Sequence, residues 1–158
     1  MKPAIRFLQS IVISTSVLAG STSSAFALPS VYTIRHDMGG HVIDYAIKMK
    51  RMEQDGRSVR FAGRCDSACT LFLGLPSAQT CITPAAKFGF HLPFGSSARG
   101  NKVAANFLIK TYPGWVRTWL RANGGLNNSL KTMTYQYASR FIDTCGSPGR
   151  VVTVAASY

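Results

Sequence analysis

Apolar and polar positions alternate in two rhythms along this chain. Val31 to Arg35 (VYTIR) predicts a strand, and Asp37-Met38-Gly39-Gly40 a turn after it. From His41 to about Glu53 the period becomes helical. Val42, Tyr45/Ala46 and Met49 recur on one face, with Ile43 and Ile47 beside them, and Asp55-Gly56 ends the run. Val59 to Ala62 predicts a short strand, Gly63 to Asp66 a tight connection, and Ser67 to Gly74 a short apolar helix. Gln79 to Thr83 reads as another short strand. Ala86 to His91 then alternates, with Phe88 and Phe90 on one side and Lys87, Gly89 and His91 on the other, the signature of a half-buried sheet.

Beyond Pro93 and Gly95 the rhythm is helical again. Helices are expected over Val103 to Thr111 and Gly114 to Ala122, divided by Pro113, and over about Asn128 to Ser139. Phe141 to Asp143 and the tail VVTVAASY have strand character. Strands alternating with helices predict an α/β layer fold in a single domain. There are no internal repeats and no low-complexity segment.

The first 27 residues stand apart. Lys2 and Arg6 precede a broken apolar stretch, Ile11-Val12-Ile13 and Val17-Leu18-Ala19, and Ala25-Phe26-Ala27 has the small-x-small form of a cleavage site. The reading is a signal peptide over residues 1–27 and a domain over residues 28–158, exported to the periplasm or secreted. The rival, a membrane anchor, needs about 20 apolar residues, and Ser14, Thr15 and Ser16 interrupt the run.

Charge and cysteines sharpen that picture. Of 18 Lys/Arg, 16 follow Ala27, together with all six Asp/Glu, giving the exported part a formal charge of 16 − 6 = +10. Such a balance suits an anionic envelope component, a polyanion or acidic lipid headgroups, rather than nucleic acid. Because the charges are scattered singly, a solvated basic surface is the plainer alternative. The four cysteines Cys65, Cys69, Cys81 and Cys145 imply two disulfides in an exported chain. Cys65 and Cys69 have C-x3-C spacing, but no second Cys/His pair follows for zinc, so neither metal nor cofactor is expected.

The stretch GRCDSACTLFLG, Gly63 to Gly74, carries the chemistry. Ser67 ends a glycine-led loop after a strand and opens a helix, where unpaired N–H groups converge. There it is either a nucleophile or an N-cap. As a nucleophile, its oxyanion would be met by the N–H of Ala68, with a second from Gly39 or Gly40. His91, at a strand end before Leu92-Pro93-Phe94-Gly95, suits a general base; the alternative is an edge-strand histidine with no chemical role. Only one acid follows His91, Asp143, which is therefore the candidate to orient the imidazole, or else an isolated surface aspartate. A disulfide from Cys145 to Cys69 or Cys65 would tether it beside Ser67. Cys69 as nucleophile is the other option, with a disulfide the expectation in an oxidising compartment. Trp115 and Trp119 share a helix face, either as core or as part of a basic aromatic surface.

These residues resemble the Clp protease proteolytic subunit, within the wider crotonase-like superfamily, and especially its small exported relatives. Asp37 to Ile43 is similar to the family's Gly-Gly turn and following helix. Val59 to Gly74 is similar to its strand, nucleophile turn and helix, and Phe88 to Gly95 to its strand ending in His-x-Pro. The interval of 24 residues from Ser67 to His91 also fits. The likeness covers about Val31 to Gly95 and departs where two cysteines flank the serine and throughout the C-terminal third. It implies a crotonase-like ββα spiral and a serine hydrolase, with Ser67, His91 and Asp143 catalytic, Gly39, Gly40 and Ala68 at the oxyanion hole, and a peptide or other acyl substrate. Relatives assemble into rings or trimers, which implies a homo-oligomer. The superfamily also has members without catalysis, so a basic envelope protein that only binds a partner is the second hypothesis.

Overall fold

The computed structural model describes residues 30–146. The signal reading of residues 1–27 and the expected strand in VVTVAASY lie outside these residues. The described chain is mixed α/β, with β1 at Tyr32–Asp37, α1 at Val42–Gln54, β2 at Val59–Asp66 and a 3-10 helix at Ser67–Gly74. Next come β3 at Thr80–Ile82, β4 at Lys87–Phe90, α2 at Ala98–Thr111, α3 at Gly114–Ala122, β5 at Lys131–Thr134 and the single turn α4 at Tyr135–Ala138.

One sheet runs β1-β2-β4-β5, and β3 also pairs with β2. β2 is long enough to serve two partners on one edge. Val59 to Phe61 pair with β3, and Arg64 to Asp66 pair with β4. β1, β2, β3 and β4 are mutually parallel where they pair, and β5 is antiparallel to β4. The carboxyl ends of β1, β2 and β4 therefore emerge together, at Asp37, Asp66 and Phe90. That is the edge where parallel sheets receive ligands.

Three expected elements change. The Gly63 to Asp66 connection is part of β2, because the strand runs through a bulge. The register slips between Ile34 and His36, and a Cβ on Gly63 would collide with the backbone of Arg35. The helix expected over Asn128 to Ser139 is instead β5 followed by α4. Thr132 and Thr134 face outward while Met133 is fully buried opposite Phe88, so pairing with β4 overrides the helical spacing. In place of the strand expected at Phe141 to Asp143 there is a turn, and only Thr144 bridges Ile82.

The core lies around β2, β4 and the 3-10 helix. Phe61, Phe72, Phe88 and Phe90 are buried there, and α1, α2 and α3 contribute Met49, Leu108, Val116 and Leu120. Trp115 and Trp119 are partly buried and pack against this core. Trp115 also stacks on Phe141, with ring centroids 5.0 Å apart.

Two disulfides form: Cys65–Cys69 and Cys81–Cys145. Such a pair is compatible with export. Among the described residues no helix is long and apolar enough to cross a membrane.

Candidate functional site

Ser67 leaves β2 in the left-handed region, with φ +55°, the one non-glycine residue at positive φ among those described. An L-residue there is strained by roughly 1–2 kcal/mol, and such strain collects at functional turns. Ser67 is also not a cap. The position before the 3-10 helix belongs to Asp66, and no side-chain hydrogen bond caps that end. A sharp turn from strand to helix is also where hydrolases of several folds place a nucleophilic serine.

The turn is braced from several sides. Cys65 and Cys69 are fully buried and joined across it. The hydroxyl of Thr70 donates to the Ser67 carbonyl at 2.5 Å. Thr70 has a single hydroxyl proton, so in its 2.6 Å bond with Tyr112 the phenol is the donor. Burial pushes the Tyr112 phenol well above its ordinary pKa, outweighing the lowering effect of its bond to Thr70, so it keeps its proton.

The glycine turn after β1 packs directly on this elbow. A Cβ on Gly39 would stand 2.7 Å from the Asp66 carbonyl oxygen, 2.7 Å from Ser67 Cβ and 2.8 Å from Ala68 N. Only glycine allows that approach, and its φ of +80° suits glycine as well. The two glycines are not equivalent as donors. Gly39 N–H donates to Asp37 Oδ1 at 2.9 Å, and Tyr45 donates to the same oxygen at 2.6 Å. Burial first, and then the Asp37 carboxylate, raises the Tyr45 phenol far above its usual range, so this donor too is permanent. Gly40 N–H has no hydrogen-bond partner among the described residues. The N–H of Ala68 sits at the start of the 3-10 helix, where no earlier carbonyl of that helix can receive it.

His91 follows β4, whose Gly89 pairs with Asp66 of β2. Its Nδ1 lies 2.7 Å from the carbonyl oxygen of Leu92. A carbonyl only accepts, so Nδ1 carries the proton and the neutral ring offers its lone pair at Nε2. A cleft of about 410 Å³ opens at this end of the sheet. Met38, Leu92, Phe94 and Leu130 wall it, with Asp66, His91 and Asn128 as its polar groups. Ser67 is not itself a lining residue, but it sits between two that bear on the cleft, Asp66 before it and the Met38-Gly39 turn against it. No hydrogen bond joins Ser67 Oγ to His91.

Asp143 is elsewhere. Its carbonyl accepts from Ile82 N–H, and Ile82 is level with Phe61 of β2, six residues before Ser67. At about 3.3 Å per strand residue that is roughly 20 Å away. The disulfide tether to the elbow is overturned, because Cys145 is bonded to Cys81. The acid at the cleft is Asp66, which precedes His91 in the chain rather than following it. It is only 3% exposed. Its Oδ2 accepts from Arg64 Nε at 2.6 Å, and its Oδ1 lies over Gly89, where any side chain would collide. The signal for it was local, since an acid immediately before a candidate nucleophile reaches the same strand end.

Among the described residues no cluster of three or more His, Cys, Asp or Glu could hold a metal ion. No family model and no curated protein matches the sequence. Among solved structures the chain is similar to a ClpP1 mutant from Listeria monocytogenes, with a TM-score of 0.42 and 16% identity, covering 72% of this chain and 70% of that one. At that distance the likeness assigns no residue a role.

Proposed function

We propose that the chain is an exported serine hydrolase of the Clp protease-like, crotonase-like type, cleaving a peptide or another acyl bond. The observation that supports it most is the contact of the Gly39 turn with a left-handed Ser67 and with Ala68 N. Two turns distant in sequence thereby bring N–H donors and a strained hydroxyl to the strand ends where His91 emerges.

In this reading Ser67 Oγ attacks the acyl carbon and its proton passes to His91 Nε2. The oxyanion is held by the N–H groups of Ala68 and Gly40, since Gly39 N–H is engaged by Asp37. His91 then gives the proton to the leaving group, and an acyl-Ser67 ester remains. Water, deprotonated by His91, attacks that ester and returns the serine. The role first given to Asp143 passes to the Leu92 carbonyl, which fixes the imidazole tautomer without a carboxylate. The chemistry needs no metal and no cofactor. The basic surface would draw the protein toward anionic envelope components, and a homo-oligomer fits the family likeness.

A fluorophosphonate probe tests this reading on the folded, oxidised protein. Covalent labelling of the wild type and none of Ser67→Ala is expected. An unlabelled wild type would favour the second reading, a non-catalytic basic binding protein. One observation supports that alternative: no hydrogen bond joins Ser67 Oγ to His91, although such bonds are often loose without substrate.

A further inference from the structure

Two buried side chains hold the carbonyl of the peptide between Ser67 and Ala68. In a trans peptide the carbonyl and the N–H point in opposite directions. The Ser67 carbonyl is drawn inward by Thr70 Oγ1 at 2.5 Å, and Thr70 is fully buried. Ala68 N–H then points the opposite way, on the side where the Gly39 turn stands against Ala68 N. Thr70 is in turn held by Tyr112, 42 residues further along the chain. Tyr112 is 1% exposed, packs edge-on against Phe90 with centroids 5.6 Å apart, and follows α2. Its own carbonyl accepts from Arg117 of α3. The phenol thus reaches the elbow from the junction of two helices that lie outside the sheet.

Thr70 bonds back to the first carbonyl of its own helix, as threonines commonly do. What local structure does not account for is Tyr112, which reaches that hydroxyl from 42 residues away. The two hydroxyls form a chain that ends on the carbonyl of the peptide that carries the Ala68 donor. We propose that Tyr112 and Thr70 are positioning residues for catalysis: their O–H···O–H···O=C chain locks the Ser67–Ala68 peptide so that Ala68 N–H is preset toward the oxyanion. This rests on the reading of Ser67 as the nucleophile. It adds α2 and α3 to the catalytic apparatus as its support, and it makes the donor available before substrate arrives.

The test measures saturation kinetics of fluorophosphonate labelling for the full oxidised protein, separating the limiting rate from the half-saturation concentration. Thr70→Val keeps the volume and removes the hydroxyl. Its limiting rate should fall about 10- to 100-fold, the scale of a misaligned oxyanion donor, with half-saturation changed less than about twofold. Thr70→Ser should restore the rate to within about threefold, because it returns the hydroxyl without the methyl. Tyr112→Phe keeps the ring against Phe90 and should lower the rate severalfold. Circular dichroism reports folding, and if Thr70→Val does not fold, Tyr112→Phe and Thr70→Ser carry the test. Folded Thr70→Val or Tyr112→Phe protein that labels at the wild-type rate overturns the inference while leaving the nucleophile intact. Failure of the wild type to label overturns the nucleophile reading and this inference with it.

Discussion

Gly39 and Ser67 are 28 residues apart in the chain, yet a single carbon added to the glycine would stand 2.7 Å from the serine Cβ. The glycine also sits at φ +80°. Gly39→Ala therefore meets both a backbone collision and a strained dihedral. It should destabilise the protein by about 1–3 kcal/mol and abolish fluorophosphonate labelling. Urea unfolding with a parallel labelling assay checks both. An alanine variant with unchanged midpoint and unchanged labelling would mean that the two turns do not meet.

Strain at Ser67 gives a second prediction with opposite signs for two readouts. The side chain makes no capping bond, and the backbone sits at φ +55°. Ser67→Gly should hold or raise stability, by up to about 1 kcal/mol, because glycine is at ease in the left-handed region. Ser67→Ala should stay within about 0.5 kcal/mol of the wild type. Neither variant should be labelled. Marked destabilisation by Ser67→Gly would identify the hydroxyl as structural.

Much of this was legible in the sequence for local reasons. The Gly-Gly turn, the serine between cysteines and the histidine before a proline each mark a strand end, and parallel pairing gathers those ends at one side of the sheet. What was misread depended on distant partners. Gly63 looked like a break, yet it is the residue that lets β1 pass close by at a bulge. Met133 has helical neighbours in sequence and is placed in a strand by the pairing of β5 with β4, where Phe88 lies opposite it. The pairing of four cysteines has no local signature, and the one acid beyond His91 lies at the far end of β2.

The two disulfides should separate stability from activity. Cys81–Cys145 joins residues 64 apart, and Cys65–Cys69 joins residues four apart. Loop-closure entropy then assigns about 4 kcal/mol to the first and about 2 kcal/mol to the second. Replacing both members of the long bridge by alanine should lower the unfolding midpoint more. Replacing both members of the short one should slow labelling more, since that bridge spans Ser67. The reverse order in either measurement would remove the short disulfide from the support of the elbow.

His91 supplies the last prediction, through its neighbour rather than through an acid. Nδ1–H donates to the Leu92 carbonyl at 2.7 Å, so the tautomer that keeps its lone pair on Nε2 is fixed by the main chain. Asp143 is held at the other end of β2 by its carbonyl bond to Ile82 and by the adjacent Cys145 bridge. Asp143→Asn changes one charge there and disturbs neither constraint. Its labelling rate should stay within about twofold of the wild type, whereas His91→Ala should lose about 100-fold or more, the contribution of a positioned base. A tenfold loss in Asp143→Asn would require the carboxylate to reach the imidazole, and the carbonyl of Leu92 could no longer be its orienting group.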